Sequence, residues 1–202
     1  MYFLSKMFAA ALLLSLTAAA PTPEKCVLLN KTLSAEELPM IFGKWILHEA
    51  YVLSSSDYYS LKLKSTNSSR IEFIPSEDNQ TVLFKQAIVV GEGCTRYSVN
   101  FTVAGNTIQF TSTTHNSTSK VDFLKTCDDC LMMRHSTVRR DGKQGTYLLF
   151  YKKTDVLPQA DQENAREQAK CLGFLQPPAF VYEQGEFCPE QSDATQAKDP
   201  EQ

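Results

Sequence analysis

From Lys44 to about Lys152 the chain is a succession of short runs in which apolar and polar residues alternate, each closed by a turn signal. Trp45 to Leu53 is ended by Ser54-Ser55-Ser56-Asp57, and Tyr59 to Lys64 and Arg70 to Phe73 share one parity. Thr81 to Val90, Cys94 to Val103, Thr107 to Ser112, Lys120 to Lys125, Leu131 to Val138 and Thr146 to Tyr151 follow, parted by short polar or glycine-bearing turns. A period of two repeated with such short connections predicts an all-β chain of about eight strands in an up-and-down antiparallel barrel. Two helices bracket it. Ser34-Ala35-Glu36-Glu37 is a capping-box pattern that predicts a short helix stopping near Pro39. Pro158 opens a second helix, Gln159 to Cys171, which Gly173 stops. The second helix has only Ala165, Ala169 and Leu172 as its apolar stripe, which suits a helix lying flat on the outside of a sheet.

The parity raises a conflict at Asn67. If Leu61, Leu63, Ile71 and Phe73 all face inward, so does Asn67, which opens an Asn-x-Ser sequon. A break near Thr66 to Ser69 resolves it.

The N-terminus reads as a secretory signal: Lys6, an apolar run from Met7 to Leu16, and small residues to Ala20, with cleavage expected near Ala19 or Ala20. The run to Ala20 is too short to span a bilayer. Five sequons (Asn30, Asn67, Asn79, Asn100, Asn116) and six cysteines agree with an oxidising, extracellular destination. The expected organisation is therefore a signal peptide over 1–20, one domain over 21–188, and a disordered tail over 189–202. A net charge of −3 argues against nucleic acid as a partner.

Catalytic motifs are missing: the sequence has no Gly-x-Ser-x-Gly, no His-Glu-x-x-His and no phosphate loop. His48, His115 and His135 lack zinc-type spacing, so neither metal nor cofactor is expected. Cys127-Asp128-Asp129-Cys130 lies between strands rather than at a helix start, and its carboxylates disfavour a thiolate. It reads as a small disulfide stapling a turn. Joining Cys26 to Cys171 and Cys94 to Cys188 would pin both chain ends to the barrel, although spacing leaves the connectivity open.

Gly43-Lys44-Trp45, after a capped turn and at the start of the first strand, resembles the lipocalin signature. The resemblance implies a cup closed at the Trp45 end, with a basic residue after the last strand stacked on the indole; of Lys152 and Lys153, Lys153 is the better placed. Within lipocalins the chain is similar to the α1-acid glycoprotein (orosomucoid) type and its fish members that bind tributyltin, saxitoxin or tetrodotoxin. The similarity is carried by Asp78 to Phe84 leading to Cys94, by Ala169-Lys170-Cys171-Leu172, and by Val181-Tyr182 with Cys188-Pro189. It implies the pairs Cys26–Cys171 and Cys94–Cys188 and leaves Cys127 and Cys130 without a counterpart.

On this reading the protein is a secreted monomer of plasma-type fluid that carries a small hydrophobic or amphipathic molecule without turnover. Alternation from Trp45 sends Leu47, Glu49 and Tyr51 inward, and a bulge that shifts the register by one would bring in Val52. Phe84, Gln86, Ile88, Phe101, Ile108, Phe110, Leu149 and Tyr151 complete the expected lining, with Tyr58 and Tyr59 at the mouth. An inward Glu49 needs a partner, either Arg70 or Lys62, or else a cationic ligand. Arg139, Arg140 and Lys143 fall at the rim. An isomerase on the same scaffold would need a thiol inside the cup, and no cysteine has that parity; an interaction role through rim loops and glycans is the rival reading.

Overall fold

The computed structural model describes residues 21–53, 58–77, 81–112 and 116–190. The expectations for the signal segment, Asn79, His115 and the chain beyond 190 lie outside them. In chain order the elements are α1 (Pro23–Leu29), a 3-10 turn (Leu38–Ile41), β1 (Gly43–Val52), α2 (Tyr58–Lys64), β2 (Thr66–Pro75), β3 (Thr81–Val90) and β4 (Gly93–Ala104). Then come β5 (Thr107–Ser112), β6 (Ser117–Leu124), β7 (Cys130–Arg139), β8 (Gln144–Lys152), α3 (Gln159–Cys171) and β9 (Phe180–Val181). Strands β2 to β8 pair with their sequence neighbours, β8 pairs with β1, and β1 returns to β2, closing an eight-stranded antiparallel barrel. Among the described residues no helix is long and apolar enough to cross a membrane.

Closure is partial at two seams. β1 meets β2 only from Gly43 to Ile46; above that its edge passes to β9, which pairs with Glu49 and Ala50. The segment around β9 fills this seam: Ala179 donates to the Ala50 carbonyl and Tyr182 to that of His48, while the Ser68 hydroxyl donates to Glu186. The second seam lies between β4 and β5, whose ladder holds only Thr102–Gln109, Val103–Ile108 and Ala104–Thr107, although β4 runs on to Gly93.

Two sequence expectations are corrected, and the break expected near Thr66 to Ser69 is found. Tyr59 to Lys64 is not strand but α2, with Leu61 66% exposed. Its alternation had no neighbour to pair with, because β1 and β2 have separated at this end, and a chain without a ladder satisfies its amides locally. Ser65 and Thr66 cap the helix, their hydroxyls donating to the Leu61 and Lys62 carbonyls. The Asn67 conflict disappears with it: β2 begins at Thr66, a register shift follows at Thr66/Ser68, and Asn67 is exposed. At the N-terminus the capping box forms, Ser34 N–H donating to Glu37 Oε2 (2.8 Å) and Glu37 N–H to Ser34 Oγ (3.3 Å), but it leads into a 3-10 turn through Pro39. The short N-terminal α-helix lies instead at Pro23–Leu29, capped by Thr22.

Candidate ligand site

The inner face of the barrel follows from strand parity and one irregularity. On β1, Ile46 faces Lys152 and Leu47 faces Tyr151, but Glu49 rather than His48 faces Phe150; His48 is the extra residue of a bulge. A bulge reverses the pleat for everything beyond it. Trp45, Leu47 and then Ala50 line the interior, while Glu49 and Tyr51 turn to the outside of the barrel under α3. The expectation that Glu49 and Tyr51 face the cup is therefore wrong, and so is the choice of Arg70 or Lys62 as the partner of Glu49. Its carboxylate, 0% exposed, accepts from Arg166 Nη2 (2.7 Å), Arg166 Nε (3.0 Å) and Gln162 Nε2 (2.9 Å) of α3, and from the Tyr51 hydroxyl. The other expected lining residues share the inward parity. Leu47, Ile108 and Tyr151 are fully buried near Trp45 and fill the closed end, with Phe123 beside them.

Trp45 itself donates from Nε1 to the Ile41 carbonyl (2.7 Å), and Lys153 Nζ stands 5.1 Å from its ring centroid. Gly43, with φ at +106°, makes the corner that brings the chain from the 3-10 turn onto this wall, a conformation side chains resist. Lys152 is buried on the outer side, its ammonium between Asp129 (2.5 Å) and Asp161 (2.8 Å).

Toward the mouth the lining becomes an arc of rings. Phe123 meets Phe73 (5.7 Å between centroids), Phe73 meets Phe84 (5.2 Å), and Phe84, Phe101 and Phe110 stack in sequence at 4.9 and 4.6 Å. His135 continues the arc from Phe110 (5.6 Å) to Tyr147 (5.8 Å). Polar groups are interleaved: Ser119 and Thr137 hydroxyls lie 3.0 Å apart, His135 Nε2 is 3.2 Å from Thr137, and the Gln86 amide donates to Ser69 while its oxygen accepts from Tyr97. Burial pushes His135 down from 6.5 to about 4, so at neutral pH the ring is an uncharged hydrogen-bonding group. Tyr97 and Val99 have the inward parity of Phe101 yet are 44% and 36% exposed, beside the β4–β5 seam. Side chains inside a filled barrel would not be reached by solvent to that extent. The interior is open here.

Above the mouth, α2 sends Leu63 onto the core and Lys62 toward Tyr97 (6.0 Å). Arg139 and Lys143 are exposed at the rim and pair with Asp141 at 3.6 and 3.7 Å, as a solvated turn does. The sequence reading missed Tyr97, Met133, His135 and Tyr147. Extending the Leu149 and Tyr151 parity by one step finds Tyr147; β7 hides its parity because Leu131, Met132 and Met133 are apolar on both faces. Among the described residues Cys127, Asp129, Cys130 and Asp161 bring donor atoms within 4.8 Å, but the sulfurs are bridged and Lys152 takes both carboxylates, so that cluster is built around a lysine.

No family model matches the chain. Among curated proteins it is 26% identical over 192 residues, 86% of this chain, to saxitoxin and tetrodotoxin-binding proteins 1 and 2 of Takifugu pardalis. It spans about half (47%) of the length of these relatives. Among solved structures the siderocalin Ex-FABP superposes with a TM-score of 0.58 at 14% identity, over 75% of this chain and 99% of that one. Odorant-binding protein OBP1 gives 0.54 at 15% identity, over 71% and 89%. Barrel, capping indole and these likenesses agree. The chain has the lipocalin fold. In this barrel Cys26 pairs with Cys171, Cys94 with Cys188 and Cys127 with Cys130, and no described cysteine is free.

Proposed function

We propose that this lipocalin-fold protein is a secreted carrier that holds one small, largely apolar molecule in the upper half of its barrel and does not transform it. The observation that carries the reading is the ring arc from Phe73 to Tyr147 facing the solvent-reached Tyr97 and Val99: a built apolar surface with room before it. Most of such a pocket's energy comes from apolar contact, and a few polar groups set orientation. His135, Thr137 and Ser119 supply the latter for a hydroxyl, carbonyl or acidic head.

The names of the Takifugu relatives bring saxitoxin and tetrodotoxin forward as candidates. Cationic ligands fit this interior less well than neutral or anionic ones. None of the described residues of inward parity is a carboxylate, and Glu49 is spent on Arg166 outside the wall. Tributyltin, apolar in its butyl arms, suits the ring arc better. Three disulfides and the exposed sequon residues Asn67, Asn100 and Asn116 support secretion and glycosylation. At Asn30 the amide that would carry a glycan donates to the Cys171 carbonyl (3.3 Å).

Titration of the full chain with N-phenyl-1-naphthylamine (neutral) and 1-anilinonaphthalene-8-sulfonate (anionic) tests the carrier reading. Saturable one-to-one enhancement is expected, reduced about tenfold or more in Val99→Trp, which fills the space, and unchanged in Glu49→Gln. Unsaturable enhancement, or equal affinity in Val99→Trp with an intact far-UV spectrum, overturns it.

A further inference from the structure

The Cys127–Cys130 bridge serves neither the barrel wall nor the ligand site. It sits at the closed end, outside the barrel, in the turn between β6 and β7. Its cysteines are 3 apart in sequence, against 145 and 94 for the other two pairs. A cross-link gains from the denatured-chain freedom it removes, and that gain grows with loop length, so this bond is the least protected of the three.

Its two sulfurs have opposite surroundings. Lys152, 4% exposed, directs its ammonium to Asp129 Oδ1 (2.5 Å), Asp161 Oδ2 (2.8 Å) and Cys130 Sγ (3.8 Å). Cys127 Sγ instead lies 3.7 Å from Asp129 Oδ1. Cys130 is buried with Met132 and Phe150 under α3, whereas Cys127 is only half-buried and packs at the edge of that cluster. Charge on Cys130 meets an N–H donor, charge on Cys127 meets a carboxylate, and only Cys127 is open to approach. Read as a string, Asp128 and Asp129 disfavour both thiolates equally; folded, Asp128 points to solvent and Asp129 is bound to Lys152.

We infer that Cys127–Cys130 is a thiol-exchange site for small aliphatic thiols, at which the incoming thiolate attacks Cys127 and Cys130 leaves. A bond forms between the external sulfur and Cys127 Sγ, the Cys127–Cys130 bond breaks, and its electron pair stays on Cys130 Sγ beside Lys152. This step is exchange, with no net oxidation. A second external thiolate attacking the mixed disulfide yields the oxidised small-molecule disulfide and the Cys127/Cys130 dithiol, so the two electrons that reduce the bridge come from the two small thiols. A low-pKa leaving sulfur speeds such displacement, and access chooses the sulfur attacked.

The test exposes the oxidised full chain to glutathione at neutral pH, quenches with acid and maps thiols by peptide mass spectrometry. The expected product carries glutathione on Cys127, with Cys26–Cys171 and Cys94–Cys188 intact and opening at least about tenfold more slowly. An adduct on Cys130, prior opening of a long bridge, or no exchange where a linear peptide disulfide is reduced overturns the inference. Cys127→Ser and Cys130→Ser variants, which keep both long bridges, report the two sulfurs separately through thiolate absorbance near 240 nm. Cys130 in the first is expected to ionise about one pH unit or more below Cys127 in the second, and the reverse order, or equal midpoints, also overturns it.

Discussion

His135 shows what one residue gains and loses by facing into the barrel. Its ring lies between Phe110 and Tyr147, and burial, the only cause acting on it, drives its proton affinity from 6.5 to about 4. An unfolded chain takes up the proton at the ordinary value, so between these two pH values the unfolded state binds more protons than the native one. Stability contributed here is complete above pH 6.5 and is lost as pH falls through about 4, for a total of roughly 3 kcal/mol. His48, likewise lowered by burial, acts in the same direction, whereas Glu37, held down to about 2 chiefly by Lys125, acts only in stronger acid. The urea midpoint is expected to fall steadily from pH 7 to pH 4, and His135→Gln, uncharged throughout, to flatten most of that slope. Parallel slopes in the two proteins would show that His135 is not the group being titrated. Glu49 teaches the complementary lesson. Its type and need for a partner were plain in the sequence, but its direction depended on the bulge at His48, which leaves no local mark, and its partner stands 117 positions away.

At the scale of elements, most of the strand order was readable because each run of alternation ends in a turn signal and finds its neighbour next in sequence. The segment Tyr58–Lys64 failed this logic because alternation is a statement about two faces, and without a flanking ladder neither face exists. Helix α3 was legible for the opposite reason. Its small residues Ala165 and Ala169 recur at helical spacing, and they let its backbone approach Met132, Leu148 and Phe150 on the outer wall. So thin an apolar stripe secures the helix weakly, and polar clamps complete the attachment. Gln168 donates to the Leu29 and Lys125 carbonyls (2.5 and 3.0 Å), Asp161 receives Lys152, and Arg166 meets Glu49. Arg166→Met leaves a carboxylate buried without its cation and is expected to cost about 3 kcal/mol. Adding Glu49→Gln should recover most of that loss, giving a clear coupling in a double-mutant cycle read by urea unfolding. Additive losses would mean that α3 is held by its apolar contacts alone.

For the whole molecule, the two long disulfides differ in what they hold. Cys26–Cys171 joins α1 to the end of α3, both outside the wall, while Cys94–Cys188 ties the chain end to β4 at the mouth. The segment before Cys188 fills the seam above Ile46, with β9 on the edge of β1, Glu186 on Ser68 and the Phe187 ring 3.6 Å from the Arg70 guanidinium carbon. Chain-entropy arguments assign each bridge roughly 4–5 kcal/mol as an upper bound, so stability alone would barely distinguish them. Binding should. Replacing Cys94 and Cys188 by serine releases the strip that completes the barrel wall between β1 and β2, so probe affinity is expected to drop with stability. Replacing Cys26 and Cys171 loosens only the outer helices, and affinity for the naphthylamine probe should persist at temperatures where that variant remains folded. Calorimetric melting beside probe titration at 20 °C separates the two effects. If both double variants lose affinity in proportion to stability, the barrel behaves as one cooperative unit and the C-terminal strip has no wall-forming role of its own.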